Sequence, residues 1–379
     1  MAFDHEPCIG VVGGGQLGRM LALEARRMGW RVVQWTGGDN SGASRLSDYV
    51  LTSDFSNEQA LEEFCSLVSC ATVEFENIPR ETLDSIATKV PTFPSSQALH
   101  ICQHREREKH FLRENGIPTA KFQIVNNAEE LQVALESMPF DTIIKTCQFG
   151  YDGKGQMMVP FDKRPSASEI WPSFEGGAAI VEQKVDLAAE LSVMVVRGQN
   201  GEVVTYDPAE NEHLDHILHL SIVPARLSVE LQEQAQEIAV KVVEALDYVG
   251  VIGVEFFLDS AGNLLVNEMA CRPHNSGHHT LDACETSQFE QQLRAVSGLP
   301  LGGTELLKPV VMLNLLGDLW ESPQCPPDWS KLLSTKGAKL HLYGKSEAKP
   351  KRKMGHATFT DDTVEQAIEN ALENFKSLN

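Results

Sequence analysis

The 379-residue sequence predicts an α/β and α+β chain: an N-terminal doubly wound parallel sheet, a smaller mixed module, and a C-terminal part built on antiparallel strands. Three observations predict it. Short apolar runs and amphipathic helix patterns alternate through the first hundred residues. Two prolines in "VPTFPSS" then stop the alternation, and the strands beyond are parted mainly by glycine turns. The length exceeds one ordinary core, so two or three domains are expected.

In order, the first region reads strand "CIGVV", helix "QLGRMLALEARRM", strand "RVVQW", helix "NEQALEEFCSLV", strand "ATVEF" and helix "RETLDSIA". After the prolines, "QALHICQHREREKHFLRENG" reads as one charged helix closed by Gly116 and Pro118, which sets a boundary near residue 100. Residues 119–190 give strand "DTIIKT", glycine loop "FGYDGKG", strand "QMMV", a helix near 166–174 and strand "AAIVEQKV". Strand "LSVMVV" and helix "VELQEQAQEIAVKVVEAL" precede an antiparallel pair in "VIGVEFFLDSAGNLLVNEM", turned at Ser260 to Asn263. The tail holds "PVVMLNLLG", "AKLHLYGK", "MGHATFT" and a last helix.

With 32 Lys and Arg against 53 Asp and Glu, the formal charge is −21, which opposes non-specific binding to nucleic acid or anionic membrane. Any anionic ligand must meet a local cationic site. No apolar run approaches the roughly 18 to 20 residues of a membrane span. The opening octet contains Asp4, His5 and Glu6 and does not read as a secretory signal. Eight scattered cysteines without a C-x-x-C pair suit reduced thiols, so a cytoplasmic location is expected.

Gly13, Gly15 and Gly18 in "VVGGGQLGRM" spell G-x-G-x-x-G, a backbone that admits close approach and offers helix N-terminal amides to an anion. A dinucleotide site also needs an acid ending the second strand, yet "RVVQW" ends on Trp35 and Asp39 falls in the loop. Glu255 and Glu268 sit on opposite arms of the predicted hairpin among apolar neighbours. With Asn267 they suit a magnesium site, or one of them meets solvent or an arginine. The loop Gly150 to Gln156 is not a Walker loop. With Lys154 and Lys145 it reads either as a lid over triphosphate or as an exposed turn.

"EQKVDLAAE" resembles a nucleotide hinge, though ordinary strand ends look alike. In "CRPHNSGHHT", Arg272, His274 and Asn275 read better as donors to a phosphate or carboxylate than Cys271 and the histidines do as a zinc site. The run Lys349, Lys351, Arg352, Lys353 is solvated surface or the required anion site. Glu74 and Glu76, ending the third strand, face the crevice of the sheet or serve only as caps and solvated charges.

Six motifs in one order, "GGGQLGRM", "TVEFEN", "GYDGKGQ", "EQKV", "NEM-x-x-RPHNSGH" and "RKMGH", resemble the ATP-grasp superfamily along nearly the whole chain. Within it they are similar to the N5-carboxyaminoimidazole ribonucleotide synthases of purine biosynthesis. The resemblance implies an ATP-grasp fold with a Rossmann-like domain at 1–101, a linker helix and central lid domain at 102–190, and a C-terminal grasp domain at 191–379. A small terminal β subdomain starts at about 305. ATP lies between the central and C-terminal sheets, and the enzyme is a homodimer.

The resemblance puts Arg105 and Lys145 at the nucleotide phosphates, under Gly150, Tyr151, Asp152, Gly153, Lys154, Gly155 and Gln156. It puts Glu182, Gln183, Lys184 and Val185 at adenine, Glu190 at ribose and His213 elsewhere in the pocket. Glu255 and Glu268 carry Mg2+. Ala270 stands where many grasp enzymes have Asn, so Asn267 or water completes the coordination. Tyr151, Asp152, Lys154, Arg272, His274 and Asn275 meet acceptor and bicarbonate, with Asp152 the first candidate for proton transfer and Lys154 orienting the anion. Lys345, Arg352 and Lys353 hold the ribonucleotide phosphate, while Gly15, Gln16, Leu17 and Glu74 lie beside the ribonucleotide. Gln148, Phe149 and Cys271 depart from the small, hydroxyl or proline residues usual at their positions.

The implied reaction is phosphorylation of bicarbonate by ATP, with carboxyphosphate then delivering carbon dioxide to the exocyclic amine of 5-aminoimidazole ribonucleotide. A formate-dependent glycinamide ribonucleotide transformylase-like enzyme shares the opening glycines, but "GYDGKG" and "RKMGH" argue against it. A nicotinamide oxidoreductase rests on those glycines alone. A silent nucleotide-binding regulator does not explain the retained carboxylates and lysines.

Overall fold

The computed structural model describes residues 6–38, 45–148, 155–174 and 177–378. Its first sheet is wholly parallel: β1 (Cys8–Val12), β2 (Arg31–Trp35), β3 (Tyr49–Leu51) and β4 (Cys70–Val73) lie in the order β3-β2-β1-β4. β1 is buried along its whole length, as a strand covered on both faces must be. Ile9 and Val11 pack with Leu17, Met20 and Leu21 of α1 (Gln16–Arg27). Cys8 and Val12 turn to the other face, toward Phe64 of α2 (Glu58–Leu67) and Leu83 of α3 (Arg80–Ala87). This alternation makes the sheet doubly wound.

The charged stretch 97–116 expected as one helix is two, α4 (Ser96–Cys102) and α5 (Arg105–Glu114). Propensity alone favours continuity, but tertiary bonds break it. Gln103 Nε2 donates to the carbonyls of Glu76 and Ile78 at 2.6 and 2.8 Å, His104 is extended, and the Arg105 amide donates to Cys147 O at 3.0 Å.

The second sheet, antiparallel, orders β5 (Phe122–Val125), β6 (Thr142–Thr146), β7 (Gln156–Val159) and β8 (Ala179–Gln183) as β5-β8-β6-β7, packed under α6 (Ala128–Ser137) and α7 (Ala167–Ile170). The third, nine-stranded among the described residues, comprises β9 (Leu187–Arg197), β10 (Val203–Thr205), β11 (Ala209–Leu214), β12 (Ile217–Val223), β13 (Gly250–Asp259), β14 (Leu264–Ala270), β15 (Val310–Leu316), β16 (Ala338–Leu342) and β17 (Lys353–Thr360). Its order is β14-β13-β9-β11-β12-β15-β17-β16, with β10 beside β9. The predicted hairpin is β13–β14. The strands after residue 305 continue this sheet through the β12–β15 pairing and cover their own apolar layer.

Several elements escaped the sequence reading, among them β3, β5, α6, β10, the β11–β12 hairpin, the helix Gln288–Ser297 and the start of β9, which brings Glu190 into a strand. The hairpin turns on Asp215 and His216, both at positive φ, a backbone that Asn-Gly signals and Asp-His does not. No helix among the described residues is long and apolar enough to cross a membrane.

Candidate active site

A cleft of about 560 Å³ opens between the second and third sheets. At its inner end Lys145 on β6 and Glu182 on β8 share a face: Lys145 pairs with Ile180, two residues from Glu182. Lys145 Nζ lies 2.5 Å from Glu182 Oε2, and Lys109 Nζ of α5 lies 3.1 Å from Oε1. Lys109 Nζ also donates to Thr119 Oγ1 and Asn267 O, both at 2.9 Å, and to Val266 O at 3.3 Å. Glu182 Oε1 consequently accepts no hydrogen bond among the described residues. Burial by itself raises the Glu182 carboxyl, but Lys109 and Lys145 outweigh it and hold the group at about 2.

Glu255 and Glu268 are direct cross-strand partners, next to a register shift after Glu255. Like charges so opposed repel, and each has a cationic or hydrogen-bonding counterpart: His274 Nε2 is 3.0 Å from Glu255 and Arg105 Nη1 is 3.1 Å from Glu268. Burial pushes Glu255 up, but His274, then His213 and Arg272, bring it down to about 2. Two ionised oxygens on one wall of the cleft, with Asn267 also lining it, form the hard donor set that magnesium takes. Toward the rim, His213 Nδ1 stands 3.3 Å from Glu190.

Outside the lining of this cleft, Glu74 follows β4 and turns into the glycine loop, accepting from the Gly15 amide at 2.8 Å and the Gly18 amide at 3.2 Å. Burial raises its pKa against those amides and Arg272. Glu76 instead meets Arg272 Nε at 3.0 Å. Lys345 Nζ donates to Gln16 Oε1 at 2.7 Å and also to Lys353 O, joining the first motif to the last across the chain.

Three family models match in sequence: a ribonucleotide synthetase preATP-grasp domain over residues 7–103, an ATP-grasp domain over 110–289, and a phosphoribosylaminoimidazole carboxylase C-terminal domain over 310–370. The N5-carboxyaminoimidazole ribonucleotide synthase of Bacillus subtilis (strain 168) is 43% identical over 361 residues, covering 95% of this chain and 93% of that protein. The chain belongs to the N5-carboxyaminoimidazole ribonucleotide synthase family. The Brucella melitensis synthase is 42% identical, over 92% of this chain and 95% of its own. Among solved synthase structures, an ADP complex superposes with a TM-score of 0.89 at 39% identity, covering 98% of this chain and 97% of that one. The Aspergillus clavatus enzyme with ADP and 5-aminoimidazole ribonucleotide gives 0.89 at 32%, covering 98% of each.

Of the residues that the synthase family implies, Arg105, Lys145, Gly155, Gln156, Glu182, Gln183, Val185, Glu190, His213, Glu255, Asn267, Glu268, Arg272, His274, Asn275 and Lys353 all line the one cleft. Gly150, Tyr151, Asp152, Gly153 and Lys154, with Phe149, lie outside the described residues. Other placements differ from expectation. The glycine-loop amides at Gly15 and Gly18 hold Glu74, so the close approach these glycines permit is by the chain's own carboxylate; a Cβ on Gly15 would stand 2.8 Å from Glu74 Oε2. The Leu17 side chain is packed into the apolar layer beneath α1. Lys184 turns toward Asp141 and its amide donates to Asp141 O at 2.9 Å. The Asn275 amide is engaged reciprocally with Asn314. Arg352 donates to Glu347 O and does not line the cleft.

Asn211, His216, Leu218 and Phe257 line the cleft and were missed, three of them because the β11–β12 hairpin was not read. Lys109 passed as one more charge on a solvated helix. The departure at Cys271 is filled by packing: its Sγ lies 2.8 Å from Cys102 Sγ, behind the site.

Proposed function

We propose that the chain uses ATP and bicarbonate to carboxylate 5-aminoimidazole ribonucleotide at its exocyclic amine, releasing ADP and phosphate. The observation that carries this reading is the convergence, in one cleft, of the Lys145–Glu182–Lys109 cluster with the opposed carboxylates Glu255 and Glu268. Val185, whose neighbour's amide is already taken, fits the adenine edge. Glu190 and His213 fit the ribose, and Lys145 and Arg105 the phosphates. Glu255 and Glu268 would hold Mg2+, which supplies charge neutralisation to a phosphoryl group when bound.

The γ-phosphoryl group passes to a bicarbonate oxygen, giving ADP and carboxyphosphate. Carboxyphosphate breaks to carbon dioxide and phosphate, and the amine nitrogen bonds the carbon while losing one proton. Arg272 and His274 both line the cleft, where Arg272 orients the anions and His274 holds Glu255. Asp152 is our candidate for that proton, and the loop Gly150 to Lys154 for excluding water from carboxyphosphate. We read the chain as a cytoplasmic homodimer divided at about residues 101 and 190. ADP release that requires both bicarbonate and 5-aminoimidazole ribonucleotide is the expected result. Equal ADP release without the ribonucleotide, or with formate replacing bicarbonate, overturns the reading.

Lys345 and Lys353 fit the ribonucleotide phosphate. Burial, then Arg352 and Lys353, lower the Lys345 ammonium to about 8, against the pull of Glu74. The KM for the ribonucleotide should therefore rise as pH climbs through about 8, and Lys345→Met should flatten the rise. Unfolding does not mimic this. A lysine depressed in the folded state is lost there before it is lost in the unfolded chain, so stability rises from about 8 toward 10.5. Gly15→Ala pushes Glu74 out of the loop. At an overpacking cost of about 1–3 kcal/mol it should raise the ribonucleotide KM by roughly tenfold or more, with the KM for ATP little changed. Equal weakening of both would refute the separate role of this loop.

A further inference from the structure

Behind His274 runs an unbroken line of buried polar side chains. Ser221 Oγ donates to Asn211 Oδ1 at 2.8 Å, Asn211 Nδ2 to Ser192 Oγ at 2.9 Å, and Ser192 Oγ to Ser276 Oγ at 2.6 Å. Ser276 Oγ lies 2.8 Å from His274 Nδ1, whose ring reaches Glu255 through Nε2 at 3.0 Å. Ser192, Ser221 and Ser276 are closed to solvent, and Asn211 is buried apart from the part that meets the cleft. They come from β9, β12, the turn Asn275–His279 and β11, so only the folded sheet assembles them.

Each hydroxyl owns one proton, and this fixes the sense of the line. The Ser221 proton goes to the Asn211 carbonyl, which turns the Asn211 amino group to Ser192. Ser192 accepts there and gives its proton to Ser276. The Ser276 proton is left for His274 Nδ1, toward which the Ser276 amide also points, at 3.4 Å. Nδ1 thus presents its lone pair to Ser276, and the ring N–H is the one on Nε2, facing the Glu255 carboxylate. The reverse sense needs a flipped Asn211 and sets an Nδ1–H against the Ser276 amide.

We propose that Ser276, Ser192, Asn211 and Ser221 are positioning residues that hold His274 as its Nε2–H tautomer and through it fix the Glu255 carboxylate at the phosphoryl-transfer cleft. With the other tautomer a ring lone pair would face the carboxylate, and the charge-assisted bond that orients it would be lost. This inference rests on the role given to Glu255 and His274 above.

The test is a long-range 15N–1H spectrum of the resting full-length protein labelled at histidine nitrogen, with His274 assigned by its loss in His274→Gln. The expected spectrum has His274 protonated at Nε2 and bare at Nδ1. Ser276→Ala should mix the tautomers and lower kcat by about 10- to 100-fold, with the KM for ATP little changed. Ser221→Ala, at the far end, should act in the same direction and less. A His274 protonated at Nδ1 in the wild type overturns the proposal even if Ser276→Ala fails to fold. A Ser276→Ala protein with unchanged tautomer and kcat also overturns it. The spectrum needs no turnover, so failure of the proposed reaction would leave the tautomer result standing.

Discussion

Glu255→Gln lowers kcat for ribonucleotide-dependent ADP release by about 10²-fold or more while the protein stays folded at the assay temperature. The substitution keeps shape and an acceptor for His274 Nε2, so the strand pair and the 3.0 Å contact survive. What goes is a negative charge held at about 2 and therefore ionised throughout the neutral range. A cation bridging to a transferring phosphoryl group contributes several kcal/mol, and each 1.36 kcal/mol is tenfold in rate. Removing the charge relieves the repulsion from Glu268, its direct cross-strand partner, but gives up the attraction of His274, His213 and Arg272, so some stability is lost along with the rate. Glu268→Gln should resemble it in rate and additionally remove the carboxylate charge 3.1 Å from Arg105 Nη1. A Glu255→Gln enzyme within about threefold of wild type, where several kcal/mol were expected, would remove Glu255 from the phosphoryl-transfer site.

Lys109→Met has its largest effect on stability, a loss of about 3–5 kcal/mol, because it strands part of a buried charge cluster. Lys109 is 1% exposed and Glu182 4%. Deleting the ammonium takes a donor from Thr119 Oγ1 and from the Asn267 carbonyl, leaves Val266 O with only the Thr119 hydroxyl of its side-chain donors, and leaves Glu182 paired with Lys145. The pH dependence follows from the sign. A carboxyl held at about 2 against 4.5 in the unfolded chain stabilises fully above 4.5 and loses that contribution as pH falls toward 2. Lys109→Met raises the Glu182 carboxyl toward its unfolded value, so the variant's deficit should be largest above pH 4.5 and narrow as pH falls. Thermal melts from pH 3 to 7 measure both, and a variant melting with wild type across that range would show the cluster to be neutral to stability.

The N-terminal sheet was legible because its strands are short apolar runs separated by helices of 3.6-residue period, a signal local in sequence. The β13–β14 hairpin was legible for a related reason: two carboxylates in otherwise apolar strands are costly unless something compensates them, and so mark a site. The β11–β12 hairpin was not legible. "NEHLDHILHL" carries charged and aromatic side chains at the cleft mouth, and its turn lacks the usual Gly or Asn. Nor was the break between α4 and α5, since the bonds that make it come from residues 76, 78 and 147.

By itself the sequence determined the alternation of the N-terminal strands and helices, the β13–β14 hairpin and the family resemblance, because hydrophobic period and motif order are local properties of the chain. Only the tertiary structure decided what the charged side chains face. It turned Glu74 into the glycine loop and Glu76 toward Arg272, although the two alternate along one segment. It also sank Lys109 of a surface-like helix beneath Glu182, and lined up Ser221, Asn211, Ser192 and Ser276 from four separate elements. The physical reason is common to these cases. A buried charge or hydroxyl takes whichever partner the packing brings within hydrogen-bond reach, and that partner lies tens or hundreds of residues away along the chain.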